Sequence, residues 1–219
     1  MLIADFGMRE DHFKNDELFV LPKPLIRNHD KILKLAMELV RYAKSETVIQ
    51  FYYQGEKTFE NTQLRLVAPM QVRYYDGRYY LAGIVWRFEK EPYSNLTIFA
   101  LDKIDQLQIG VAINESNEDG DIENNQPIKF NRKIFAKKIG IKDYFKHCIG
   151  VVRPFDTNPK EIKLMFKRWA RAHVLNHPIH DSQKIIENKD ELILSIFVYD
   201  TIELEFILAK YKDACSRLG

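Results

Sequence analysis

The Asp76-Gly77 dipeptide is the tightest constraint in this chain. Asp-Gly between extended runs signals a two-residue hairpin, because both positions tolerate the positive φ that such a turn demands. The run that follows, Arg78 to Arg87, is aromatic and β-branched and reads as a strand. Both of its faces are apolar: Tyr79, Leu81 and Val85 on one, Tyr80, Ala82, Ile84 and Trp86 on the other. Such a strand needs cover on both sides, which places it centrally in a closed or sandwiched sheet. Ala82 and Gly83 in mid-strand predict a sharp bend, as at a barrel corner.

The neighbouring segments supply partners. Thr47–Gln54 alternates, with Ile49, Phe51 and Tyr53 on one face and Gln50, Tyr52 and Gln54 on the other. Gln63–Tyr75 alternates for longer. Leu64, Leu66, Ala68, Met70 and Val72 point one way, and Arg65, Gln71 and Arg73 the other, with the parity carried through Pro69. Strands over Leu96–Lys103 and Gln106–Ile109 follow. A helix from Lys31 to about Ser45 precedes them, capped by Asp30, with Ile32, Leu35, Ala36, Leu39, Val40 and Ala43 at helical spacing. One helix and then five short strands are compatible with a small barrel.

Further on, Ile134–Cys148 is a basic helical stretch interrupted at Gly140, and Val151–Pro154 reads as a strand. Asn158 caps and Pro159 starts an expected helix to about Val174. Its apolar stripe is Ile162, Met165, Phe166, Trp169 and Ala172, and Lys160, Lys163, Lys167 and Arg171 form the opposite face. A hairpin over Lys184–Glu187 and Leu192–Tyr199 leads to a last helix, Ile202–Ala214, capped by Asp200 or Thr201. Strand, helix, strand, strand, helix is a ferredoxin-like split βαβ unit without its last strand.

With 46% hydrophobic and 29% charged residues, the 219-residue chain can bury a core. No apolar run reaches membrane-spanning length, and Met1-Leu2-Ile3-Ala4-Asp5 turns acidic too soon for a signal peptide. Two cysteines, Cys148 and Cys215, make no disulfide framework, so the expectation is a reduced, cytoplasmic protein. Charge is unevenly spread. Residues 114–125 carry five acids and no base, whereas residues 128–175 carry thirteen Lys or Arg against three acids. His173, His177 and His180, with His147 and Cys148, invite a metal site, but Pro178 disfavours a shared helical face, and no metal or cofactor is expected. There is no P-loop or dinucleotide glycine motif, and Asp102 has no evident catalytic partner, so the chain reads as non-enzymatic.

Arg65-x-Val67-x-Pro69, then Gly77-Arg78-Tyr79-Tyr80-Leu81, then Phe99-x-Leu101-Asp102-Lys103-Ile104 resemble the WYL domain of bacterial transcriptional regulators. The name triplet Trp-Tyr-Leu is here Tyr-Tyr-Leu. The later segment resembles the WCX extension that follows WYL domains, including the lead-in His177-Pro178-Ile179-His180-Asp181-Ser182-Gln183. The resemblance implies an α+β chain: a leading helix and Sm-like (SH3-like) β-barrel, then a ferredoxin-like C-terminal unit lacking its last strand. The implied division is an N-terminal segment of unknown role at 1–30 and the WYL barrel with its helix at 31–112. An acidic linker and basic helical connector then span 113–150, before the WCX-like unit at 151–219. The DNA-reading winged helix-turn-helix usual in the family is expected to be absent from this chain.

The implied function is ligand sensing within a transcriptional regulator, with single-stranded DNA, RNA or a nucleotide-like effector on a basic and aromatic barrel surface. Arginine beside aromatics on a β-surface binds phosphates and stacks bases. The residues expected to do so are Gln50, Tyr52, Arg65, Arg73, Arg78, Tyr79, Tyr80 and Lys103, with Lys160, Lys163, Lys167 and Arg171 as a second basic surface continuing the row of Arg65 and Arg73. Thr97 and Ala100 stand where the family often has arginines. That departure leaves a second reading open, an interaction or dimerisation module without a small ligand. A homodimer is compatible with both, and no membrane partner is expected.

Overall fold

The computed structural model describes residues 29–54, 62–86, 96–111, 126–188 and 190–218. The N-terminal segment to 28 and the acidic stretch 112–125 lie outside the described residues. The chain is α+β, with two antiparallel sheets.

Helix α1 (His29–Lys44) buries Ile32, Ala36, Leu39 and Ala43. Asp30 lies within its first turn rather than capping it. The first sheet follows: β1 (Ile49–Gln54), β2 (Thr62–Tyr75), β3 (Arg78–Val85), β4 (Thr97–Ala100) and β5 (Ile104–Ile109), in spatial order β4-β3-β2-β1-β5. The Asp76-Gly77 turn forms as expected, with φ of 47° and 79° at its two positions. Both faces of the sheet are covered. Ile49, Phe51, Val67, Leu81, Phe99 and Leu101 pack with α1. Val48, Ala68, Met70, Ala82 and Ile84 pack on the other side with Ile128, Phe130, Tyr144, Phe145, Cys148 and Tyr199.

A closed barrel does not form among the described residues. β4 pairs only with β3 and β5 only with β1, so the sheet is open between its two edge strands. The expected strand Leu96–Lys103 stops at Ala100 and turns through a 3-10 segment, Leu101–Lys103, which carries the chain to β5 without a ladder between them.

The bend in mid-sheet is a β-bulge. The β2–β3 register shifts between Pro69 and Gln71, opposite Gly83 and Ala82. Gly83 has no room for a side chain: a Cβ would lie 2.4 Å from Val67 Cγ1. The bulge inserts one residue and therefore reverses the parity of β2. Before it, Arg65 pairs with Phe51 on the α1 side; beyond it, Val72 pairs with the α1-side Leu81, and Arg73 pairs with Tyr80 on the opposite side.

The connector is helical in the first part of the expected stretch Ile134–Cys148 and runs in turns after Gly140. α2 (Arg132–Ile139) is capped by Asn131, whose side chain accepts from Ile134 N, and ends on Gly140 in the left-handed region at φ 68°. Turns then lead through Tyr144 and Phe145 to Gly150.

The second unit departs from expectation at several places. Val151–Pro154 is not a strand, and Lys160–Phe166 is one (β6) rather than a helix. Its burial alternates, with Ile162, Leu164 and Phe166 inward. In a run this short, apolar residues at 162 and 166 fit both helical and alternating patterns, and pairing with strands on both sides decides the outcome. Helix α3 is confined to Trp169–Asn176, after Arg168 breaks the strand at φ 53°. β7 (Lys184–Asn188), β8 (Leu192–Val198) and α4 (Ile202–Ala209) follow, and a last strand β9 (Cys215–Leu218) pairs with β6. The strand expected to be missing is therefore present. The second sheet has the order β7-β8-β6-β9 and packs Leu164, Phe166, Leu194 and Ile196 against α3 and α4. Trp169, expected in the core, is 57% exposed and stacks on Tyr211 at 5.7 Å.

Candidate anion-binding site

The residues singled out in the sequence are dispersed by the fold. Arg65 lies on the α1 side of β2 and donates to Gln63 Oε1. Gln50 and Tyr52 lie on the other side, at the end of the sheet opposite Leu66 and Leu64, with Gln50 bonded to Gln108 at 2.9 Å. Arg73 shares that side with them but sits seven positions beyond Leu66, roughly 20 Å along the strand. The expected single face holding Arg65, Arg73, Gln50 and Tyr52 does not exist: the β1–β2 register sets Arg65 with Phe51 rather than with Gln50 and Tyr52, and the bulge then turns Arg73 to the side opposite Arg65.

Arg78 is committed elsewhere. Its guanidinium grips Asp102 through two bonds, Nε to Oδ1 at 2.7 Å and Nη2 to Oδ2 at 2.8 Å. This bidentate bond raises the Arg78 pKa, and it is the partner that Asp102 lacked in the sequence. Tyr79 is half-buried on the α1 side, its ring 4.8 Å from Tyr74. Tyr80 lies opposite Arg73, its phenol pushed up by burial. Lys103 lies in the 3-10 segment and has an interaction of its own.

The second basic surface is not a row either. Lys160 pairs with Asp200 at 3.0 Å and Lys167 with Glu191 at 3.0 Å. On strand β6, Lys160 and Lys163 project to opposite faces, as successive even and odd positions must. Arg171, on α3, is itself engaged. A strand in place of the expected helix thus removes the surface that would have continued the Arg65 and Arg73 row.

A different cationic site forms where β2 outruns β1. The last β1 pairing is at Val67, so the edge of β2 beyond it is free of a strand partner on that side, and the connector packs there. Arg132 Nη2 donates to Met70 O at 3.0 Å across this edge. A cavity of about 340 Å³ opens beside it, lined by Gln71, Arg73, Arg132, Ile141, Lys142, Phe145 and Lys146. Arg73 lies over the Phe145 ring, 4.0 Å from its centroid. Burial lowers the Arg73 pKa, opposed by the fields of Cys148 and Glu203, and the guanidinium remains charged.

Among the described residues, four cationic side chains line one cavity and no carboxylate lines it. Among the described residues none of the four forms an ion pair, and Arg73 makes no hydrogen bond. Gln71 Oε1, Arg73 Nε and Arg132 Nε are buried without hydrogen-bond partners. Arg73 and Arg132 are half-buried and have no counter-charge among the described residues, so an anion would meet two partly desolvated cations here. The sequence pointed only to Arg73 among these residues. Arg132, Lys142 and Lys146 belong to the cation-rich stretch 128–175, but nothing local aims them at β2.

The histidines find other roles. His173 and His177, expected apart, have rings 4.9 Å from each other. His173 Nδ1 lies 3.1 Å from Tyr211 Oη, and His180 Nδ1 2.8 Å from Ser182 Oγ. Among the described residues no group of three His, Cys, Asp or Glu is placed to hold a metal. No helix among them is long and apolar enough to cross a membrane.

Comparison with known proteins gives similarity at two levels. Proteasome accessory factor B/C (PafBC) of Arthrobacter aurescens is similar in structure over 88% of this chain and 25% of that chain, at 10% identity and a TM-score of 0.34. A CRISPR Cas-related protein is similar over 87% of this chain and 47% of that chain, at 11% identity and a TM-score of 0.48. This chain spans less than half the length of either. No curated protein matches the sequence. The WYL family profile matches residues 35–109, the segment running from α1 to the end of β5. Residues 35–109 of this chain are a WYL domain.

Proposed function

We propose that the chain is the ligand-sensing part of a WYL-type transcriptional regulator and recognises a nucleic acid or nucleotide-like anion. The observation that carries this reading is the cavity at the WYL sheet, lined by Arg73, Arg132, Lys142 and Lys146 with no carboxylate among its lining residues. Buried Phe145 supports the Arg73 guanidinium, and half-buried Tyr80 stands opposite Arg73 as an aromatic neighbour, a pairing of cation and ring that suits phosphates and bases. In this reading Arg73 and Tyr80 belong to the ligand surface, and Arg65 and the lysines of β6 do not. The open five-stranded sheet is an SH3-like barrel left unclosed, residues 151–219 form a ferredoxin-like WCX unit, and 113–150 join the two. The module acts without catalysis, and binding becomes regulation when one conformational state binds the ligand better than another.

The test is a titration of the purified chain with a fluorescent single-stranded oligonucleotide at two salt concentrations. Affinity should fall steeply as salt rises, because several phosphates release their counterions on binding. Absence of salt-dependent binding to DNA, RNA and nucleotides overturns the reading. A second reading, a protein-docking module, is favoured by Ile202 and Phe206. These are four apart on α4 and 57% and 63% exposed. Sedimentation of the wild type against Phe206→Ser tests it.

A further inference from the structure

We propose that the cavity beneath Arg73 and Arg132 is a terminal-phosphate pocket, which reads a phosphate monoester at the end of a strand or on a free nucleotide. The inference rests on the anion-binding reading above and specifies what that site distinguishes.

About 340 Å³ accommodates a phosphate with its sugar, at the lower end of the volumes that enclose small ligands. A half-open depression of this size holds one phosphate group with its sugar and not a run of several nucleotides.

A diester brings one negative charge and a monoester close to two, since its second pKa is near about 6. Two guanidiniums and two ammoniums with no paired carboxylate among the described residues favour the dianion. Glu203 is the carboxylate whose field reaches Arg73, yet it is turned to the backbone N–H groups of residues 150–152.

Arg73 comes from β2, Arg132 from the first turn of α2, and Lys142 and Lys146 from the turns after Gly140. Cations from three separate segments thus line one pocket. Arg73 is steadied by Phe145 and Arg132 by Met70 O, which orients both forks before a ligand arrives.

The experiment compares one single-stranded oligonucleotide carrying a 5′-phosphate, a 3′-phosphate or hydroxyls at both ends, with a nucleoside 5′-monophosphate as competitor. One phosphorylated end should bind at least tenfold more tightly than the hydroxyl form at pH 7.5. That preference should shrink as pH falls below 6. Arg73→Gln should abolish it. Because Arg132 also supports the backbone, Lys146→Gln, at an exposed position, serves as the variant least able to disturb folding, and it should reduce the preference at least threefold. Competition by the mononucleotide assigns the monoester to a free nucleotide; preference without competition assigns it to a strand end. Equal, salt-dependent binding of phosphorylated and hydroxyl strands overturns this inference while leaving the sensor reading in place. No binding by any strand or nucleotide overturns both.

Discussion

Glu203, in the first turn of α4, accepts a hydrogen bond from the backbone N–H of Gly150 at 3.1 Å. The same carboxylate takes Val151 N at 2.9 Å and Val152 N at 3.2 Å. Its side chain is buried, and it ties the second unit to the connector that lines the cationic cavity. Gly150 is required there: a Cβ would stand 2.4 Å from Tyr75 Cε1 and 2.6 Å from Glu203 Oε1. Burial and then the field of Glu203 push the Tyr75 phenol up to about 12.

Glu203→Ala should destabilise the chain by at least about 2 kcal/mol, since three backbone donors lose a charged acceptor. Gly150→Ala should cost about 1–3 kcal/mol through overpacking. The double variant should lose less than the sum, because both changes break one contact. Urea unfolding of the three variants measures this. Strict additivity would show that the two residues act separately.

Arg65→Ala and Arg73→Ala should differ in effect. The bulge places Arg65 on the α1 side and Arg73 in the cavity. Arg73→Ala should weaken oligonucleotide binding at least tenfold, and Arg65→Ala should change it less than twofold. Equal losses in the same titration would mean that the ligand crosses both faces of the sheet.

Neither cysteine should react with a thiol reagent at pH 7.5 while the protein is folded. Burial pushes both Cys148 and Cys215 up to about 11, leaving almost no thiolate. Both should react once the chain unfolds in urea. Rapid modification of one thiol in native buffer would contradict its placement.

Asp200 should make stability sensitive to strong acid. Its bonds to Arg217, at 3.0 and 2.9 Å, hold the carboxyl at about 2, with Lys160 assisting. A depressed carboxylate stabilises the fold above its unfolded pKa of about 4 and loses that contribution as pH falls through about 2. The pair is about one-third exposed, so the effect stays within about 1 kcal/mol. Asp200→Asn should lower stability at pH 6, and the gap to wild type should close between pH 4 and pH 2. A gap that persists at pH 2 would show that charge pairing is not its cause.

What the sequence determined by itself is what short-range forces decide. The Asp76-Gly77 turn follows from backbone sterics at two residues, the extent of α1 from an apolar stripe on one face, and the end of α2 from the freedom of Gly140. The two-sided burial of β3 was legible for a similar reason, since an aromatic run with no polar face has one stable environment. The tertiary structure decided everything that depends on what lies across a strand. Lys160–Phe166 became a strand because β8 and β9 supplied hydrogen-bond partners on both of its edges. One extra residue at the bulge beside Pro69 turned Arg73 away from Arg65, a reversal that local alternation could not encode because bulge and continuous strand have the same residue pattern. The cavity needed two further coincidences, the end of β1 pairing at Val67 and the return of the connector to that bare edge. Arg132, Lys142 and Lys146 are ordinary surface cations in the sequence, and they converge on Arg73 only because packing is non-local.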